Sequence, residues 1–213
     1  MYSYTNRKGV TYYLHGRLDR KGVMRYTFKR SAEGALDALP EGHEVIESVN
    51  AKVSIRRARP RLITPLEEER VRAALGKHGL DRYRIEVKDK CITIFAPDRD
   101  PDAIAHQVVR GAMAGDALNR WLETGLRKQF GDEIVDQYFD EREQRTRDAL
   151  EKDMTWSPVL RLRLGDADQR RFEVQRMTWI GDGGWHWLAT LKLAEALDQF
   201  IPHLGKESFY DLV

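Results

Sequence analysis

Residues 11–30 read TYYLHGRLDRKGVMRYTFKR. Two segments rich in aromatic and β-branched residues, TYYLH and VMRYTFKR, flank GRLDRKG, whose Gly16 and Gly22 supply the permissive backbone that a hairpin loop needs. In the second segment Met24, Tyr26 and Phe28 point to one face of a strand and Arg25, Thr27 and Lys29 to the other, so one face is oily and the other basic. Outward from this hairpin, a turn at Pro40-Glu41-Gly42 leads to a third strand, HEVIESV, and Asn50-Ala51 turns the chain into a fourth, KVSIRRA. The pattern predicts a small antiparallel sheet of about four strands, with Leu36 and Leu39 on a short intervening turn or helix.

The hairpin lies in the basic part of the chain. Residues 1–63 hold 13 Lys or Arg against 6 Asp or Glu, whereas residues 64–213 hold 23 against 28, so a net charge of +2 hides an asymmetry. The punctuation PRLITPLEEE falls at the same place, and we expect a basic β-rich module over 1–63 and an α+β domain over 64–213. At 213 residues, with 41% hydrophobic and 33% charged residues, the chain is long enough for a sizeable core under a well-solvated surface. It opens MYSYTNRKG without an apolar leader and contains no run of about 18 apolar residues, which predicts neither signal peptide nor membrane span, hence a cytoplasmic protein with no membrane partner. Cys91 is the single cysteine; it excludes an intrachain disulfide, and in KCITIF it reads as a small buried hydrophobe.

The second part begins with Thr64-Pro65-Leu66-Glu67, a capping box with proline at the first helical position, and the helix should run to about Leu75 and stop at Gly76. YRIEV and CITIF, separated by Lys88-Asp89-Lys90, read as a hairpin. Asp100-Pro101 launches helical sequence with apolar positions Ile104, Val108, Ala112, Leu118, Leu122 and Leu126, which with a following helix fills a central helical region of about 101–153. GAMAG at 111–115 permits either close helix packing or a break with Asp116 as a new cap. After Gly131 a helix carries Ile134, Val135, Tyr138 and Phe139 and becomes almost wholly polar in DEREQRTRDALEKD, as a solvent-exposed extension would. VLRLRL, RFEVQRMTWI and WHWLAT, with turns at Gly165-Asp166 and at GDGG, then lead to the amphipathic LKLAEALDQFI, a β-β-β-α segment.

Chemistry is sparsely signalled. Six histidines are scattered without paired spacing, and HExxH, CxxC, GxSxG and a phosphate-binding glycine loop are all missing, so no metal site, no cofactor and no nucleophilic hydrolase are expected. Ile85-Glu86-Val87-Lys88 is similar to the Glu-x-Lys strand of PD-(D/E)xK nucleases, although Asp81 lies too close to Glu86 to occupy a separate strand. Trp185-His186-Trp187 places both rings on one face by alternation, which suits a core-facing strand. The positive signal is charge with aromatics. Arg25, Lys29, Arg56, Arg57, Arg59 and Arg61 are suited to phosphate, and Tyr12 and Tyr13 to base stacking; a solvated face, or one paired with the acidic second part, accounts for the same residues.

The stretches YTNRKGVTYYLH, PEGHEVIESVNAKVSIRRARP and PHLGKESFYDLV resemble a family of uncharacterised bacterial proteins of similar length. The resemblance implies a bacterial setting and brings no activity or site residue with it. The sequence therefore predicts an α+β protein that binds DNA or RNA without catalysis through its N-terminal sheet. A protein-interaction or assembly subunit, using the charged helix or the surroundings of Trp179, Trp185 and Trp187, is the alternative, and a PD-(D/E)xK-like nuclease the second alternative.

Overall fold

A computed structural model describes residues 1–111, 117–178 and 183–212. Among these residues ten antiparallel strands form three sheets and share the chain with helices, an α+β fold. The chain divides into two compact units: Met1–Ala96 with Trp156–Val213, and Pro97–Thr155. The division thus falls at the two ends of the helical region and not near Thr64.

In the first unit, β1 (Ser3–Thr5), β2 (Thr11–Leu18) and β3 (Met24–Lys29) form a three-stranded sheet in that order, and β4 (His43–Glu47) pairs with β5 (Val53–Arg57) in a sheet of its own. The expected single sheet of four strands is therefore two sheets, with β3 and β5 close together but without a ladder between them. The β2–β3 turn forms where Asp19 caps it: its carboxylate accepts the Lys21 and Val23 N–H groups at 2.9 and 3.0 Å, and Gly22 takes φ +73°.

Helix α1 (Pro65–Lys77) has the predicted capping box, but it passes through Gly76 and ends where Gly79 takes φ +69°. There the Gly79 N–H reaches the Gly76 carbonyl and the Leu80 N–H the Leu75 carbonyl, the paired bonds of a Schellman motif. Five strands follow: β6 (Arg84–Lys88), β7 (Cys91–Pro97), β8 (Trp156–Asp166), β9 (Arg171–Thr178) and β10 (Gly184–Lys192), in spatial order β10-β9-β8-β7-β6. Alternation turns Ile92, Ile94, Leu160, Leu162, Phe172 and Val174 to one face, where all are fully buried against Val71 and Leu75 of α1 and the apolar side of the C-terminal helix Leu193–Phe200. The N-terminal sheets are tied to this core at Asn50, which donates to the Trp156 carbonyl at 3.0 Å and accepts its N–H at 2.8 Å.

The second unit contains α2 (Pro101–His106), a π turn (Gln107–Gly111), α3 (Ala117–Phe130) and α4 (Asp132–Lys152). GAMAG and Asp116 lie largely outside the described residues. The buried stripe of α2 and its π turn is Pro101, Ala105 and Val109, one residue on from the predicted Ile104 and Val108, because capping by Asp100 starts the helix with Pro101 turned inward; Val108 is 52% exposed. The polar half of α4 is no free extension. Arg110 holds Glu143 at 3.2 Å and also bonds Asp140, and Arg147 reaches Asp102 at 2.5 Å, so α2 and the π turn cover one side of it. Gly131 joins α3 to α4 at φ +85°, with open space where a Cβ would stand. With ψ at 158° this backbone is open essentially to glycine alone, so Gly131→Ala should cost about 2 kcal/mol through backbone strain, read as a lower unfolding midpoint in urea.

Candidate functional site

The predicted nucleic-acid residues divide on inspection. Arg25 pairs with Asp19 at 3.0 Å, Arg56 with Glu44 at 2.7 Å and Asp89 at 3.3 Å, Arg59 with Asp89 at 3.7 Å, and Arg61 with Glu68 at 2.7 Å. Much of the basic face is thus neutralised internally, partly by acids from the second part of the sequence. Lys29 and Arg57 have no carboxylate partner among the described residues. Tyr12 and Tyr13 cannot act together, because β-alternation separates them. Tyr12 lies on the side of Leu14 and Phe28, whereas Tyr13 lies opposite Lys29 in register on the basic side.

The sheet of five strands offers a different surface. Its inner face is filled by the core, and its outer face carries a groove of about 740 Å³. Each lining side chain is there because its neighbours face inward. Between buried Leu160 and Leu162 stands Arg161; beside Ile92 and Ile94 stand Cys91, Thr93 and Phe95; Glu86 and Lys88 alternate with Ile85 and Val87. The β6–β7 turn adds Asp89 and Lys90, and Arg59, Pro60 and Leu62 close one side.

Trp185 and Trp187 also belong to this outer face, contrary to the core-facing expectation. In register they oppose Met177 and Gln175, and Trp187 is 63% exposed. Leu188, the next residue in the alternation, goes into the core, and a bulge between Trp187 and Ala189 then brings Ala189 into register with Val174.

Arg161 is the electrostatic centre of the groove. Its guanidinium lies 4.3 Å from the centroid of the Trp185 ring, and its Nε and Nη2 both donate to Gln175 Oε1, at 2.8 and 2.5 Å. No carboxylate pairs with it among the described residues, whereas the neighbouring Arg163 has Glu173 at 2.7 Å. Burial draws its pKa below the ordinary arginine value, and Arg163 adds to the effect; an arginine nonetheless remains charged. A partly buried cation satisfied by a neutral amide and an indole face favours an incoming anion, and the indole also offers a stacking surface.

Other chemistry in the groove is weak. Burial is the main influence on the Cys91 thiol and pushes its pKa up, which keeps it protonated and unreactive. Glu86 pairs with Lys88 at 2.8 Å, and among the described residues no group of three or more His, Cys, Asp or Glu could hold a metal ion. The nuclease reading thus finds its Glu-x-Lys pair but no metal-binding set around it.

No protein-family model, curated protein or solved structure matches the chain. Arg161, Trp185, Phe95 and Lys90 are absent from the site the sequence predicts. The alternation of VLRLRL and KCITIF carried part of their signal, by turning Arg161 and Phe95 away from the core.

Proposed function

We propose that this protein binds single-stranded nucleic acid without catalysis, in the groove on the outer face of its five-stranded sheet, and does so in a bacterial cytoplasm. The observation that carries the reading is Arg161, a cation with no carboxylate partner among the described residues, stacked on Trp185 in an open groove. Phosphate supplies the missing anion and a base the partner for the ring, whereas a paired duplex keeps its bases stacked away from both. Lys90 adds a second positive charge to the lining, where Arg59 and Lys88 stand paired with Asp89 and Glu86. The unit containing it, Met1–Ala96 with Trp156–Val213, holds 27 Lys or Arg against 20 Asp or Glu. Of the residues expected from sequence, Arg59 lines this groove; the others supply longer-range attraction or ion pairs that hold the N-terminal sheets.

Fluorescence anisotropy of a labelled oligonucleotide over a salt series tests the proposal. About four phosphate contacts predict a log–log slope near −3 for single strands. Trp185→Ala should weaken binding about tenfold with little change in that slope, since it removes stacking and leaves charge in place. Absence of binding at low salt, or equal binding by the variant, would reject the groove as the site.

An assembly role is the second reading. Ile134 and Tyr138, one turn apart on α4, are 60% and 55% exposed. Salt-insensitive self-association lost in Tyr138→Ser would favour it.

A further inference from the structure

The outer-sheet groove does not end in an acidic wall. At its N-terminal side Asp89, in the tight β6–β7 turn at φ +50°, faces Arg56 at 3.3 Å and Arg59 at 3.7 Å, while Arg56 also pairs with Glu44 at 2.7 Å. Arg56 also lines a second groove, about 530 Å³, between the edge of β3 and β5. The two grooves therefore meet at a ridge of paired charges, Arg56–Asp89–Arg59, in which Glu44 also holds Arg56.

The second groove repeats the chemistry of the first. Arg57 is exposed and lacks a carboxylate partner among the described residues. His43 stands opposite it in register and packs edge-on against Tyr26, with ring centroids 5.3 Å apart at 70°. Ile55 and Met24 give the floor an apolar part. A cation next to an aromatic pair on an apolar floor suits a phosphate and its base, and strands of the two grooves are joined through the short segment Arg57–Arg59–Leu62.

We propose that the groove between β3 and β5 is a second subsite for the same single strand, entered across the Arg56–Asp89–Arg59 ridge, with Arg57 on phosphate and the Tyr26–His43 pair against a base. This rests on the reading of the outer-sheet groove given above. It predicts a footprint longer than the outer groove alone: short oligonucleotides fill one groove and longer ones both.

The test compares labelled oligothymidylates of about 4 and about 12 nucleotides, within the usual span of single-strand sites. The proteins are wild type, the double variant Arg57→Ala, His43→Ala, and Arg57→Lys, each checked for an unchanged circular dichroism spectrum and unfolding midpoint. The double variant is expected to lose about tenfold with the longer strand and less than twofold with the shorter, with Arg57→Lys retaining most of the affinity for the longer. Equal losses at both lengths, or none at either, would overturn the second subsite while leaving the outer groove in place. If wild type binds neither length, the reading of the outer groove fails and the subsite with it.

Discussion

Arg161→Glu should weaken single-strand binding on the order of a hundredfold at moderate salt, more than any other single change in the groove. Three effects act together. The variant loses the cation that meets phosphate, adds an anion that repels it, and removes the guanidinium that rests on Trp185 at 4.3 Å. Gln175, whose amide oxygen now accepts two N–H bonds from Arg161, would lose both. Arg161→Lys separates these contributions: it keeps the charge but loses the planar stacking and the forked bonds, so an intermediate affinity with a nearly unchanged salt slope is expected. The folded state should tolerate both variants, because the side chain lies on the outer face and the core residues Leu160 and Leu162 are untouched. Anisotropy beside circular dichroism checks the pair.

Glu67→Ala should destabilise the protein by about 3 kcal/mol at neutral pH, the sum of a lost cap and lost charged hydrogen bonds. Glu67 is 8% exposed and serves two elements distant in sequence. Its Oε2 accepts the Thr64 N–H at 2.9 Å and the Thr64 hydroxyl at 3.0 Å, closing the α1 capping box; Arg170, on the β8–β9 turn, donates Nε to Oε1 at 2.9 Å and Nη2 to Oε2. Burial by itself would raise the carboxyl, but the Arg170 and Thr64 bonds outweigh it, and the pKa is held below the usual carboxylate value. A depressed folded pKa contributes stability above the unfolded pKa, near 4.5, and the contribution disappears as pH falls through the folded value. The gap between wild type and Glu67→Ala in urea denaturation should therefore narrow in acid. A gap that persists unchanged below the folded pKa would show that packing, and not the ionised carboxylate, is what Glu67 supplies.

The capping box at Thr64 and the alternation of VLRLRL were legible because each is a local device: a cap spans four residues, and alternation shows which side chains share a face. The order of strands is a different matter. Nothing within HEVIESV or KVSIRRA states that they pair only with each other, since pairing is decided by contacts distant in sequence. The tryptophans show the same limit more sharply. Alternation correctly put Trp185 and Trp187 on one face, but which face was set by the register with Met177 and Gln175, and the bulge that brings Ala189 opposite Val174 has no local signature. The basic N-terminal surface was visible as charge, while its neutralisation was not, because Asp89 and Glu68 meet Arg56, Arg59 and Arg61 only in the folded chain.

The most direct measurement is photo-crosslinking of wild-type protein to an iodouracil-substituted single strand, followed by peptide mapping of the adduct. A base stacked in the outer-sheet groove should crosslink to Trp185 or Phe95, and Trp185→Ala should reduce the yield at that peptide. Adducts confined to peptides outside both grooves, or no adduct under conditions where a salt-sensitive complex forms, would contradict the account.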